Sequence, residues 1–188
     1  TALGTYMVRD LCPGSCGSRS WVRGPLAAVG DRLFFAANDA VHGLELWVTD
    51  GTALGTTLVL DLQPGWESSF PAVLTAASGQ LFFTARGADD VIALWRSDGT
   101  DVGTVRVRDI RPGNAGSTPT QLIDVSGTLY FVANDGVAGI ELWTSDGTEQ
   151  GTRLVSDLRP GGGDAKPVNL TNIDGQLYFH ANDGSLGV

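Results

Sequence analysis

One phrase, Glu/Ala-Leu-Trp-x-Ser/Thr-Asp-Gly-Thr, recurs in this chain at a fixed interval. It reads ELWVTDGT at 45–52, ALWRSDGT at 93–100 and ELWTSDGT at 141–148, so Trp47, Trp95 and Trp143 stand 48 residues apart. A period of this length marks one supersecondary unit repeated until neighbouring units bury each other's apolar faces. A β-sandwich needs no strict period, and a β-helix has a shorter one.

Each unit carries the same parts in the same order. A Gly-Thr pair follows the Trp phrase (Gly4-Thr5, Gly55-Thr56, Gly103-Thr104, Gly151-Thr152). A short β-rich run then ends in Asp10, Asp61, Asp109 or Asp157, and a Pro-Gly turn begins at Pro13, Pro64, Pro112 or Pro160. An apolar stretch, exemplified by 121–125, leads to a second Gly-containing turn. Last comes the most hydrophobic part: LFFAA from Leu33, LFFTA from Leu81, LYFVA from Leu129 and LYFHA from Leu177. Short runs rich in Val, Leu, Phe, Tyr and Thr, bounded by Gly, Pro, Asn and Asp, are strand and hairpin signals. Asp-Gly suits tight hairpin turns because both residues tolerate positive φ. No segment keeps the three-four apolar spacing of an amphipathic helix. The expected fold is all-β: a β-propeller, or a segment of one, built from four-stranded antiparallel blades of about 48 residues. The strands run inner (167–173), second (177–181), third (140–145) and outer (153–157). The sequence units fall at 4–54, 55–102, 103–150 and an incomplete 151–188, as one repeat array.

The repeated polar and aromatic residues read first as structure. Trp47, Trp95 and Trp143 occupy one position beside Leu on the third strand, where a ring burying roughly 150–250 Å² fills the gap between blades. A ligand-stacking platform is the competing reading. The Asp of Asp-Gly and the Asp before Pro-Gly are expected to anchor turns. Neither His42 nor His180 sits at a repeated position, and no nucleophile elbow, phosphate loop or metalloprotease motif is present. The chain is therefore expected not to be an enzyme.

One departure is correlated. Asn38-Asp39 with Glu45, and Asn134-Asp135 with Glu141, become Arg86-Gly87 with Ala93 in the second unit. Two readings stand. Asp39, Glu45, Asp135 and Glu141 are calcium candidates, with carbonyls and water completing the shell. Alternatively, the pair is a hydrogen-bonded hairpin that the second unit replaces with the loop at 88–93. No other cofactor is expected.

With 42% apolar residues, the 188 residues can bury a good core as one domain. A net charge of −9 disfavours nucleic acid and anionic membranes as partners, and no apolar run is long enough to span a bilayer. The two cysteines, Cys12 and Cys16, lie in an insertion at the first Pro-Gly turn. With no His nearby and no second pair they make a poor zinc site. A local Cys12–Cys16 disulfide, and with it an oxidising compartment, is the expectation. Thr1 aligns with Thr52 and Val188 with Ile140, which places seven residues equivalent to ELWxxDG outside the sequence. Further repeats of the same chain, or a neighbouring subunit in an oligomer, are expected to complete the open blade.

The Trp phrase, with its following Gly-Thr and Asp-Leu-x-Pro-Gly, resembles the ELWxxDGT repeat of long secreted or surface proteins of bacteria, notably myxobacteria. The resemblance covers nearly the whole chain, with Ala93 and the Cys12–Cys16 insertion as local departures. It implies an extracellular propeller-type repeat protein and no established reaction or ligand. The function expected first is a non-catalytic binding or scaffold module whose blade loops face a partner protein or glycan. A lectin-like or calcium-dependent glycan-binding propeller comes second, and an enzyme using the ring channel third.

Overall fold

In the computed structural model, residues 4–14, 21–113 and 115–185 are described. They form fourteen strands and no helix. Three antiparallel four-stranded sheets follow one another along the chain. The first contains β1 (Trp21–Val29), β2 (Arg32–Asn38), β3 (Leu44–Thr49) and β4 (Thr57–Leu60). The second contains β5 (Ala72–Ala77), β6 (Gln80–Arg86), β7 (Ile92–Ser97) and β8 (Val105–Arg106). The third contains β9 (Thr120–Val125), β10 (Thr128–Asn134), β11 (Ile140–Ser145) and β12 (Arg153–Ser156). A two-stranded sheet, β13 (Val168–Ile173) with β14 (Gln176–His180), ends the series. The all-β expectation and the strand order inner, second, third and outer are met. The sheets are phased differently from the sequence units: the strand after each Gly-Thr pair closes the preceding sheet.

Register repeats as faithfully as sequence. Trp47 lies opposite Phe35, Trp95 opposite Phe83 and Trp143 opposite Phe131. The turns between inner and second strands hold Ser78-Gly79, Ser126-Gly127 and Asp174-Gly175 with both residues at positive φ. That is the type I′ geometry matched to strand twist. Each inner strand also carries a bulge, and its left-handed residue is Gly24, Val73, Gln121 or Asn169. The first is a glycine and Asn tolerates positive φ, whereas Val73 and Gln121 hold a conformation their side chains disfavour. Nothing in a single copy of the sequence marks these positions. Bulges raise local twist and bend the strand, and here they do so at one level of every sheet.

The sheets meet through their inner strands: β1 lies against β5, β5 against β9 and β9 against β13. Two apolar layers fill the spaces between the full sheets. Phe34, Leu46 and Val48 of the first sheet pack on Leu81, Phe83 and Ala85 of the second, with Trp95 at the margin. Phe82 and Leu94 of the second pack on Leu129, Phe131, Ala133 and Trp143 of the third. Each full burial of such a Leu or Phe contributes about 1.5–3 kcal/mol. The alternation of strand side chains thus gives every middle sheet two buried faces, and the Trp face always looks toward the preceding sheet. Trp47 obeys the same rule. With no full sheet before it, it packs with Phe35, Ala37, Leu58 and Leu11 of the N-terminal segment.

Candidate functional site

The Asp-Gly-Thr signature builds a polar knot rather than a two-residue hairpin turn. Asp50 Oδ1 accepts the Thr52 backbone N–H at 2.8 Å and its hydroxyl at 2.7 Å. Thr52 Oγ1 accepts the Gly55 N–H at 2.9 Å, and Thr56 Oγ1 donates to the Thr52 carbonyl at 2.7 Å. Thr49 Oγ1 lies 2.7 Å from Thr56 Oγ1 and accepts the Gly51 N–H. The same set recurs at 97–104 and 145–152. The glycines of the three later Gly-Thr pairs are required by space, not by φ. A Cβ on Gly55, Gly103 or Gly151 would come within 2.0 Å of the Asp50, Asp98 or Asp146 carboxylate. The Thr hydroxyl and N–H hold these three exposed carboxyls below their ordinary range. The repeated Asp residues are therefore occupied, as their turn-anchor reading expects. Asp10 and Asp61 also serve turns, accepting the N–H of Cys12 and of Gly65.

Glu45 and Glu141 are fully buried. Glu45 reaches from β3 to the linker between the first two sheets. It accepts the N–H of Leu62 at 3.2 Å, the N–H of Ser69 at 2.8 Å and the Ser69 hydroxyl at 2.5 Å. Glu141 does the same with the N–H of Leu158 and of Ala165, both at 3.1 Å. The linkers are fastened twice, since Ser68 Oγ and Asp164 Oδ1 accept the first N–H of β3 and β11. Burial pushes the Glu45 carboxyl up to about 7, against the opposing pull of Ser69 and Leu62. Burial raises Glu141 as well.

Asp39 and Asp135 turn to their own hairpin loops. Asp39 Oδ1 accepts the N–H of Val41 and His42, and its Oδ2 lies 2.7 Å from His42 Nδ1. Asp135 Oδ1 accepts from Val137 and Ala138. Burial raises the Asp39 carboxyl, but the His42 backbone and ring with the Val41 N–H outweigh it and leave it lowered. Asp39 and Glu45 thus share no hydrogen-bond partner, and neither do Asp135 and Glu141. Among the described residues no three His, Cys, Asp or Glu side chains gather in a metal-binding group.

The second unit lacks the buried clamp and carries surface pairs, while Asp89 Oδ1 accepts the Val91 N–H at 3.2 Å in its hairpin loop. Arg106 Nη2 lies 2.6 and 2.7 Å from the Asp89 carboxylate oxygens, and its guanidinium sits 5.6 Å over the Trp95 ring. Gly87 is confined there, because a Cβ would lie 2.8 Å from Arg106 Nη2. Trp95 is the most exposed of the three repeated Trp residues and donates through Nε1 to the Ala85 carbonyl at 3.1 Å. Trp47 and Trp143 are buried, with Nε1 unpartnered among the described residues. This favours their packing role over a stacking platform.

The loops also carry exposed apolar side chains. Trp66, in the linker after β4, is 79% exposed, and Val41 and Val137, in the hairpin loops, are 63% and 81% exposed. Hairpin and linker lie together, since a Cβ on Gly43 would meet the Glu67 carbonyl. Trp66 has no counterpart in the other units, so the repeat gives no sign of it. Departure from the repeat is the signal that could have found it. A cavity of about 380 Å³ lies between the N-terminal segment and the first sheet, lined by Met7, Arg9, Leu11, Val22, Phe35 and Thr56 among others. It is the same space that a preceding sheet would fill against Phe35. His180 stands exposed on β14. Cys12 is described, but Cys16, its expected partner, lies outside the described residues. No helix among the described residues is long and apolar enough to cross a membrane. Comparison with family models, with curated proteins and with solved structures finds no match for this chain.

Proposed function

We propose that this chain is a non-catalytic segment of a secreted or surface-exposed β-propeller scaffold that binds a protein partner through its hairpin and linker loops. The carrying observation is a division of labour. Repeated polar residues are consumed by knots and clamps, whereas the hairpin and linker loops carry exposed apolar side chains, Val41 and Val137 at one repeated position and Trp66 in one unit alone. Exposed aromatic side chains are frequent anchors of interfaces. The stacking order of the sheets and the resemblance to ELWxxDGT repeats support the propeller and the extracellular setting.

A glycan-binding, lectin-like role is the second reading. It is favoured by the same exposed indole, whose face suits a sugar ring. Its calcium-dependent form has less support, because Glu45 and Glu141 already serve buried backbone donors. A glycan array with and without EGTA, run beside Trp66→Ala, separates the readings. Binding abolished by Trp66→Ala and indifferent to EGTA supports a calcium-free lectin. Binding abolished by EGTA would restore the calcium sites. A protein partner identified by cross-linking at position 66 supports the scaffold, and cross-links confined to the opposite edges of the sheets would overturn it.

A further inference from the structure

Two departures from the repeat meet in space at the second sheet. Phe70 stands where the later units have Thr118 and Lys166, and Arg86 stands where the others have Asn38, Asn134 and Asn182. The backbone fixes this equivalence. The N–H of Arg86, Asn134 and Asn182 donates to the carbonyl of Ser69, Ser117 and Ala165, which precede Phe70, Thr118 and Lys166. The Asn side chains serve their own loops: Oδ1 accepts the N–H of Ala40, Gly136 and Gly184 in turn. Arg86 has no such task. Its guanidinium lies 5.5 Å over the Phe70 ring, and Nη1 donates to Asp90 Oδ1 at 3.2 Å. Asp90 is exposed, and a surface pair of this kind holds its members weakly. Nε and Nη2 of Arg86 have no partner among the described residues.

Phe70 fills no core. It is 48% exposed at a φ of 52°, a conformation that a bulky side chain disfavours. Open space flanks its ring on two sides. About 250 Å³ is bounded by Ala72, Thr84, Ala85, Arg86 and Ile92, and about 160 Å³ lies toward Pro25, Leu44 and Pro71. Past Arg86 and Asp90 a further space of about 130 Å³ continues to Gly116 and Thr118. Pockets that enclose a whole small ligand hold about 300–1,000 Å³. The largest of these grooves falls below that range and opens onward past Arg86, which suits one side chain of an extended segment. The backbone donors at its rim are used, because the N–H groups of Phe70, Arg86 and Gly87 donate to Leu44, Ser69 and Val91. They form no nest for a terminal carboxylate. The free polar group is the guanidinium, whose planar fork matches a side-chain carboxylate.

We propose that the groove between Phe70 and Arg86 is a docking site for an acidic segment of a partner protein. The segment places an apolar side chain against Phe70, Ala72 and Ile92, and an Asp or Glu beside it pairs with Arg86. The site rests on the protein-binding reading of the loops and gives that partner a chemistry. The net charge of −9 does not bar an acidic segment. Repulsion from distant surface charges is damped beyond about 8 Å at physiological ionic strength, whereas Arg86 acts in contact. Among the described residues only the second unit joins an aromatic ring to a guanidinium at these positions, so one site per chain is expected.

The probe is a library of short peptides, acetylated and amidated at their ends, with a Leu or Phe next to an Asp or Glu. It is screened against the full 188-residue chain, and the tightest binder is titrated into isotopically labelled protein. Saturable one-to-one binding is expected, with amide shifts centred on 69–73 and 84–92. Changing the acidic residue of the peptide to its amide should weaken binding about ten-fold, as loss of a charge-assisted pair does. Arg86→Gln should weaken it as much and leave the protein indifferent to that change in the peptide. Phe70→Thr, the residue of the next unit, should weaken it at least about five-fold. Both side chains are half-exposed, and circular dichroism checks that the variants keep the sheets; the amide peptide tests the pair on unaltered protein. Absence of saturable binding overturns the proposal, as do shifts centred on 132–140 or an Arg86→Gln protein that still distinguishes acid from amide. Phenylacetate binding as tightly as the peptide overturns it in favour of a small carboxylate. A partner cross-linked at position 66 whose binding survives Arg86→Gln overturns this site and leaves the loop reading standing, which keeps the two failures apart.

Discussion

The linker from the first sheet to the second and the linker from the second to the third solve one problem in two ways. At 61–70 a buried carboxylate crosses from β3 and satisfies the backbone of Leu62 and Ser69. At the equivalent place in the second unit the residue is Ala93, and the surface pairs Arg106–Asp89 and Arg86–Asp90 stand nearby. The first solution places a charge where burial is costly and recovers the cost through three hydrogen bonds. The second avoids the buried charge and leaves the join between sheets to apolar packing around Phe82, Leu94, Phe131 and Trp143. A repeat array can therefore tolerate loss of a clamp in one unit, provided the layer between sheets stays intact.

The largest expected effect tests that layer. Trp143→Ala should cost about 3–5 kcal/mol in urea melts, as large-to-small core changes do. A loss below about 1 kcal/mol would show that packing does not carry the unclamped interface, and would reopen the ligand-platform reading of the ring. Next comes Glu45→Ala, which strands the buried N–H groups of Leu62 and Ser69 and should cost about 2–4 kcal/mol. If Glu45→Ala proves neutral, the linker at 61–70 is no more dependent on its clamp than its counterpart, and the contrast between them disappears.

Titration sharpens the same point. The Glu45 carboxyl, ordinarily near 4.5, is pushed up to about 7, so the folded state binds a proton that the unfolded chain releases. Its contribution to stability is full below about pH 4.5 and is lost as pH rises through about 7. The stability difference between wild type and Glu45→Gln should therefore shift by as much as about 3 kcal/mol across that window, at about 1.4 kcal/mol per unit. A flat difference would mean that the buried group stays ionised throughout. The knot residues Asp50, Asp98 and Asp146 act in the opposite sense, since their lowered carboxyls lose their contribution as pH falls through the folded values. The smallest effect is expected from Asp89→Ala. It removes a partly exposed ion pair and should cost no more than about 1 kcal/mol, less in high salt. A larger loss would mark the Arg106–Trp95 stack as a clamp in its own right.

The period of 48 residues, the absence of helix, the order of the four strands and the common place of the Trp residues on the third strand were all legible in the sequence. Each depends on spacing within a few residues or on exact recurrence, and both are visible along the chain. The reasons behind the recurring residues were not. Gly55 recurs because Asp50 occupies the space of its Cβ, and Glu45 recurs because Leu62 and Ser69, 17 and 24 residues away, offer it their N–H groups. The bulges at Val73 and Gln121 likewise belong to the sheets, because no local preference of Val or Gln at those positions asks for positive φ. Local stereochemistry fixes where strands and turns fall, so a sequence can declare them. Which distant donors a buried carboxylate meets depends on how two sheets and their linker sit together, and only the tertiary structure decides that.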